Sequence, residues 1–145
     1  MKRKGLIAGL IIIVLIAGSV LTFGKSYARD IYTYDCETLE QRPEQLTKFC
    51  ADAGVLIYNI QWRSWGYNGA EGTGIYSENL CEPSCVEGKR VEEQVDIYLS
   101  GIEIIKGKRV LRYLSANTRN GALLPSGDTY VSWDVAEFAI NMQKG

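Results

Sequence analysis

The chain has 145 residues, with 16 basic and 17 acidic side chains and no histidine. Without histidine no Ser-His-Asp or Cys-His catalytic arrangement can be built, and no His-ligated zinc, copper or haem site. Setting aside Lys2, Arg3, Lys4 and Lys25 leaves 12 basic residues against 17 acidic ones, a net charge of −5 that argues against a nucleic-acid partner.

The first element is an apolar run from Gly5 to Gly24, placed directly after Lys2-Arg3-Lys4. At about 1.5 Å per residue a hydrophobic helix of this length reaches roughly 30 Å, the thickness of a bilayer's hydrocarbon core. The basic cluster stays on the cytoplasmic side, so everything after Gly24 is expected outside. Residues 1–28 read either as a signal peptide or as an uncleaved membrane anchor through residues 5–24. Ser26-Tyr27-Ala28 supplies small residues at the two positions a signal peptidase needs, while the length of the run suits an anchor.

Residues 29–49 read as a spacer. It is rich in tyrosine at Tyr32 and Tyr34, and Pro43-Glu44-Gln45 suits the first turn of a short helix. From residue 50 to 145 the pattern becomes that of one extracellular β domain. Val55 to Trp65 alternates, with Leu56, Tyr58, Ile60 and Trp62 taken as the inward face. Asn68-Gly69 marks a hairpin. Ala70 to Glu78 carries Ala70, Gly72 and Gly74 on one face, where small residues let the tryptophan rings of the preceding strand approach. Val91 to Ser100 alternates with Val91, Glu93, Val95, Ile97 and Leu99 inward and Glu92, Gln94, Asp96 and Tyr98 outward, and residues 102–105 extend it. Lys106-Gly107 is a turn, Arg109 to Ala116 a returning strand, and Thr129 to Trp133 a last one. Val135, Phe138, Ala139 and Met142 then recur at helical spacing, which suggests a short closing helix capped by Ser132 or Asp134, or else a continued strand. Short strands with glycine-rich turns predict a mainly β fold, a single antiparallel sandwich or small barrel.

Four cysteines, Cys36, Cys50, Cys81 and Cys85, lie beyond the apolar run. An even number in an exported domain reads as two disulfides. Pairing nearest neighbours gives Cys36–Cys50 and Cys81–Cys85, while a crossed pairing of Cys50 with Cys81 or Cys85 would tie two strands together. A four-thiolate zinc site needs reduced cysteines and two close pairs, and this chain has one close pair.

Four fragments, Cys50-Ala51-Asp52, Trp62-Arg63-Ser64-Trp65-Gly66, Ala70-Glu71-Gly72-Thr73-Gly74 and Asn79-Leu80-Cys81-Glu82-Pro83-Ser84-Cys85 with Gly88 beyond, carry a resemblance. In order and spacing, residues 50 to 115 resemble a family of small exported domains from Gram-positive bacteria, mainly actinobacteria, whose function is not established. The resemblance implies a secreted β-rich domain in a Gram-positive-like bacterium, extracellular or at the outer face of the cytoplasmic membrane. The family pattern has its fourth cysteine downstream, where this chain has Cys36 upstream.

Four groups are candidates for function. Trp62 and Trp65 stand three apart, which in a regular strand puts them on opposite faces and exposes one ring as a stacking platform for sugars; the plainer account is core packing. Glu78, Asn79 and Glu82 could hold calcium, although their spacing matches no calcium loop, and a disulfide-clamped loop explains them. Lys106, Lys108, Arg109 and Arg112 could meet an anionic wall polymer or lipid headgroups, or simply protect a hairpin from edge pairing. Glu92/Asp96 and Asp134/Glu137 are the carboxylate pairs that a hydrolase would need. The leading expectation is a non-catalytic surface or interaction domain with no cofactor, meeting a cell-wall polymer or another surface protein. The alternatives are a cell-wall carbohydrate-binding module using Trp62 or Trp65, and a carboxylate-dependent hydrolase.

Overall fold

The computed structural model describes residues 30–142; the expected leader or anchor, its cleavage site and its hydrophobic helix lie outside these described residues. Along them run β1 (Ile31–Asp35), β2 (Thr38–Glu40), β3 (Leu46–Thr47), β4 (Val55–Gly66), β5 (Gly69–Asn79), β6 (Arg90–Ile105), β7 (Lys108–Thr118), β8 (Tyr130–Asp134) and the helix α1 (Glu137–Asn141). Among these residues no helix is long and apolar enough to cross a membrane.

The fold is mainly β, and all eight strands join one sheet in the order β2-β1-β7-β6-β5-β4-β3, with β8 also on β7. The turn signals place the hairpins correctly: Gly66 pairs with Gly69 around Tyr67-Asn68, and Ile105 with Lys108 around Lys106-Gly107. Two expectations need correction. The sheet is mixed rather than antiparallel, because β1 runs parallel to β7 at Ile31↔Arg109 and Tyr32↔Val110. No short turn constrains β1, so it takes the part of β7's outer edge that β8, paired from Tyr113 to Asn117, leaves free. The fold is also one open sheet rather than a sandwich. Ile31 of β1 and Leu46 of β3 come from opposite ends of the strand order, yet share one buried cluster with Ile57, Ile97, Leu111 and Leu114. The sheet therefore curls round its own core, where each fully buried Ile or Leu contributes about 1.5–3 kcal/mol.

No ladder closes the curl; three staples do. The Cys36–Cys50 disulfide links the two ends. The indole N–H of Trp65 donates to the Ile31 carbonyl at 2.9 Å, and the Thr47 N–H donates to Asp35 Oδ1 at 2.7 Å.

Two bulges in β4 decide which side chains face in. Between Tyr58↔Ile75 and Gln61↔Thr73 the strand carries one extra residue, and another between Trp62↔Gly72 and Ser64↔Glu71. Asn59 takes a left-handed φ of 52° at the first, the conformation that Asn tolerates best among residues with a side chain. The inward set is therefore Val55, Ile57, Ile60 and Trp65, with Trp62 packed beside them. Expecting Leu56 and Tyr58 to face in was wrong, because one extra residue exchanges the two faces of a strand. Gly72 makes room as expected: a Cβ there would sit 2.8 Å from the Gln61 carbonyl oxygen and 3.1 Å from the Trp62 ring.

The segment 29–49 is not a spacer, and Pro43 starts no helix. The Pro43 carbonyl accepts the Trp62 indole N–H at 2.8 Å, and the Glu44 carbonyl accepts the Ile60 N–H at 3.0 Å. Carbonyls that a helix would use internally thus hold β4, and β1 to β3 belong to the same compact unit that begins at Ile31.

The closing helix exists but is shorter than its apolar spacing suggested. Asp134 Oδ1 accepts the Ala136 N–H at 3.0 Å just before it, as a turn rather than as its cap. Val135, Ala136 and Ala139 are buried, whereas Phe138 and Met142 face out. On the sheet's outer side Ala136 and Ala139 join Tyr34, Ile105 and Val110 in a second, smaller cluster.

Candidate functional site

Strict alternation in β6 and β7 builds a polar outer face. Val95, Ile97 and Leu99 of β6 and Leu114 and Ala116 of β7 point into the core. The residues between them point out, and pairing sets them in rows. One row runs Ser64, Glu71, Tyr98, Ser115, Ser132 across β4 to β8; the next runs Gln61, Thr73, Asp96, Asn117, Tyr130; a third holds Ser100, Tyr113 and Asp134. Tyr98, Tyr113 and Tyr130 keep 40%, 45% and 56% of their surface exposed. Tyr98 and Tyr113 are diagonal neighbours on adjacent strands, roughly 7–8 Å apart. Tyr130 lies two strands and one step from Tyr98, roughly 12 Å away by ladder geometry.

Glycine fixes one of these rings. Gly101 has a φ of 68°, and a Cβ there would lie 2.4 Å from the Tyr113 ring. The edge of the ring therefore occupies the space a side chain at 101 would need, with the Arg112 guanidinium 5.3 Å from its centroid. At the hairpin tip Tyr67 is exposed and borders a groove of about 410 Å³ with Ser64, Asn68, Glu71, Tyr98 and Ser100.

The positive charges around this face are neutralised. Asp96 faces Arg63 at 3.6 Å and Arg119 at 3.8 Å. Arg112 binds Asp134 at 2.6 Å and Glu103 at 2.7 Å. Its hydrogen bond to Asp134, followed by that to Glu103, raises the guanidinium's pKa above its ordinary value. What is left outward is phenol rings, hydroxyls, amides and Glu71.

Of the residues singled out by the sequence, Asp96, Asp134 and Arg112 lie on or beside this face as ion-pair partners, and the others fall elsewhere. Cys36–Cys50 and Cys81–Cys85 are the two disulfides. Trp62 and Trp65 do not straddle the sheet. The bulge after Trp62 returns both to the inner face, where their rings meet edge-on at 4.9 Å and 79°. Trp65 is 7% exposed, and both indole N–H groups are bonded to backbone carbonyls, so the pair serves packing rather than an open platform. In the 80–89 loop Asn79 accepts the Cys81 N–H at 3.0 Å and donates to the Cys85 carbonyl at 2.8 Å, so its amide holds the loop's own shape. Among the described residues no three His, Cys, Asp or Glu side chains gather as a metal site.

Of the carboxylate pairs, Glu92, Asp96 and Asp134 are committed. Glu92 accepts the Tyr58 hydroxyl at 3.0 Å and the Ser77 hydroxyl at 3.4 Å. The first bond raises the Tyr58 pKa, because it favours the protonated phenol beside a carboxylate. Asp134 is held by Arg112, and Glu137 stands exposed on α1. Of the basic cluster, Arg112 is taken up by these ion pairs, while Lys106, Lys108 and Arg109 stay at the β6–β7 turn.

The alternation of β6 already set Tyr98 outward. That Tyr113 and Tyr130 stand beside it depends on pairing register, which no local pattern reveals. Comparison with protein families, with curated proteins and with solved structures finds no match to this chain.

Proposed function

We propose that this protein is a non-catalytic recognition domain, exported and held at or near the outer face of the cytoplasmic membrane, and that its tyrosine-bearing sheet face contacts neutral cell-wall glycan. The observation that carries this reading is the face itself, three exposed phenol rings among hydroxyls and amides with its arginines neutralised. Rings of this kind offer an apolar surface with a polar edge, which suits the alternating apolar and hydroxylated faces of a sugar. Neutralised arginines favour a neutral ligand over an anionic one. Two disulfides are compatible with an extracellular compartment. The basic cluster before the apolar run, and the resemblance of residues 50–115 to small exported domains, support export. A carboxylate-dependent hydrolase has less behind it, since Glu92 and Asp96 are tied to Tyr58, Ser77, Arg63 and Arg119.

Co-sedimentation of the protein with cell-wall sacculi stripped of anionic polymers tests the reading. The wild type should sediment, and Tyr98→Ala with Tyr113→Ala should weaken binding about tenfold. Equal sedimentation of both proteins would remove the tyrosine face from the account. Absence of sedimentation would leave a surface protein as the remaining partner.

A further inference from the structure

We propose that the β6–β7 turn is a membrane-facing foot, which rests on the anionic lipid headgroups next to the point where the chain leaves the bilayer. The inference rests on the reading of residues 5–24 as an uncleaved anchor.

The placement comes from the sheet. β1 runs parallel to β7 and pairs Ile31 with Arg109, so the start of the domain lies beside the β6–β7 turn. From Gly24 to Ile31 the chain spans seven residues, at most about 25 Å when fully extended. A domain tethered this closely must hold its Ile31 end near the surface. That end carries Lys106, Lys108 and Arg109, and among the described residues none of the three makes an ion pair. The Lys108 ammonium lies 5.3 Å from the centroid of the Tyr32 ring. Ile104, directly across the ladder from Arg109, is 66% exposed on a strand whose other isoleucines are buried or half-buried. Glu37 borders the adjoining groove together with Lys106 and Lys108 and pairs with neither.

Charge makes the foot specific. On this reading the exported part includes Lys25 and carries a net −4, so an anionic bilayer repels it as a whole. Only a local basic cluster can turn one end towards the lipid. Each basic side chain near an anionic surface is worth roughly fivefold in attraction at physiological ionic strength. An exposed isoleucine between such charges adds a small apolar contact at headgroup depth.

The test is lysine footprinting of the full chain in lipid nanodiscs. An amine-reactive reagent reports Lys106 and Lys108, with Lys89 as control. Lys89 precedes β6, whose 16 residues put it roughly 50 Å along the strand from the turn. In phosphatidylglycerol discs Lys106 and Lys108 should react at least fivefold more slowly than in phosphatidylcholine discs, with Lys89 unchanged. Ile104→Asn with Arg109→Glu should abolish the difference while leaving both reporter lysines in place. A chain retained in both discs with no lipid-dependent difference would overturn the foot and leave the anchor standing. Protection in phosphatidylcholine discs by soluble polyphosphate, equal to that from phosphatidylglycerol, would overturn it in favour of an anionic polymer. A chain that does not stay with the discs would end the anchor reading, and the foot with it.

Discussion

The two disulfides do different work although their chemistry is the same. Cys36–Cys50 closes a seam between the ends of the sheet, where Ile31 and Leu46 are fully buried and Trp65 and Thr47 reach across to β1. Cys81–Cys85 clamps a surface loop in which Cys85 and Val86 are exposed and Asn79 supplies the hydrogen bonds. In both, the first cysteine has a left-handed φ, 55° at Cys36 and 54° at Cys81, so each bond begins at a tight reversal. The lesson is that a crosslink matters through what it keeps together. At the seam, opening the bond frees β1 and β3 from a shared core; in the loop it frees only the loop.

The contrast can be tested by breaking the seam without touching its disulfide. Trp65→Ala should lower the unfolding free energy by about 3–5 kcal/mol, because it empties a core position and removes the indole hydrogen bond to the Ile31 carbonyl, which keeps the Gln41 amide as donor. Denaturant unfolding under oxidising conditions measures it, and a loss no larger than that of a surface substitution would mean that the disulfide alone holds the seam. Cys36→Ser with Cys50→Ser comes next, at about 3 kcal/mol from chain entropy for a loop of this length. It should also speed hydrogen exchange in β1 and β3 relative to β5 and β6, and uniform acceleration would contradict a local seam. Cys81→Ser with Cys85→Ser should cost no more than about 2 kcal/mol, since its loop is much shorter. Its faster exchange should stay within residues 79–90. A loss equal to that of the seam pair would erase the distinction.

The smallest effect concerns pH in β5, which lies between the two regions. Burial, and then the hydrogen bond to Glu78, raise the Tyr76 pKa above its ordinary 10.0. A group whose pKa is raised on folding stabilises fully below its unfolded value and loses that contribution as pH rises beyond it. Stability should therefore fall as pH climbs past about 10, and Tyr76→Phe should flatten that decline. An unchanged slope in the variant would assign the decline to other groups.

Much of this fold is legible in local sequence. The mainly β character, the hairpins at Asn68-Gly69 and Lys106-Gly107, the nearest-neighbour cysteine pairing and the inward set of β6 all follow from short-range pattern. The failures have one cause each. Leu56 and Tyr58 were misplaced because a bulge adds a residue without a strong composition signal. Trp62 and Trp65 were split between faces for the same reason. Pro43 suggested a helix because the demand of β4 for its carbonyl and that of Glu44 is invisible locally.

The sequence by itself determined the strands from β4 onward, the hairpin turns and the absence of histidine chemistry, because these depend on residue type and on contacts a few positions apart. Only the tertiary structure decided that one sheet curls round its own core, that β1 lies parallel beside the basic turn, and that Tyr98, Tyr113 and Tyr130 share an outer face. Those outcomes depend on pairing register and on two single-residue bulges, and burial of distant partners selects them where local preference is nearly indifferent.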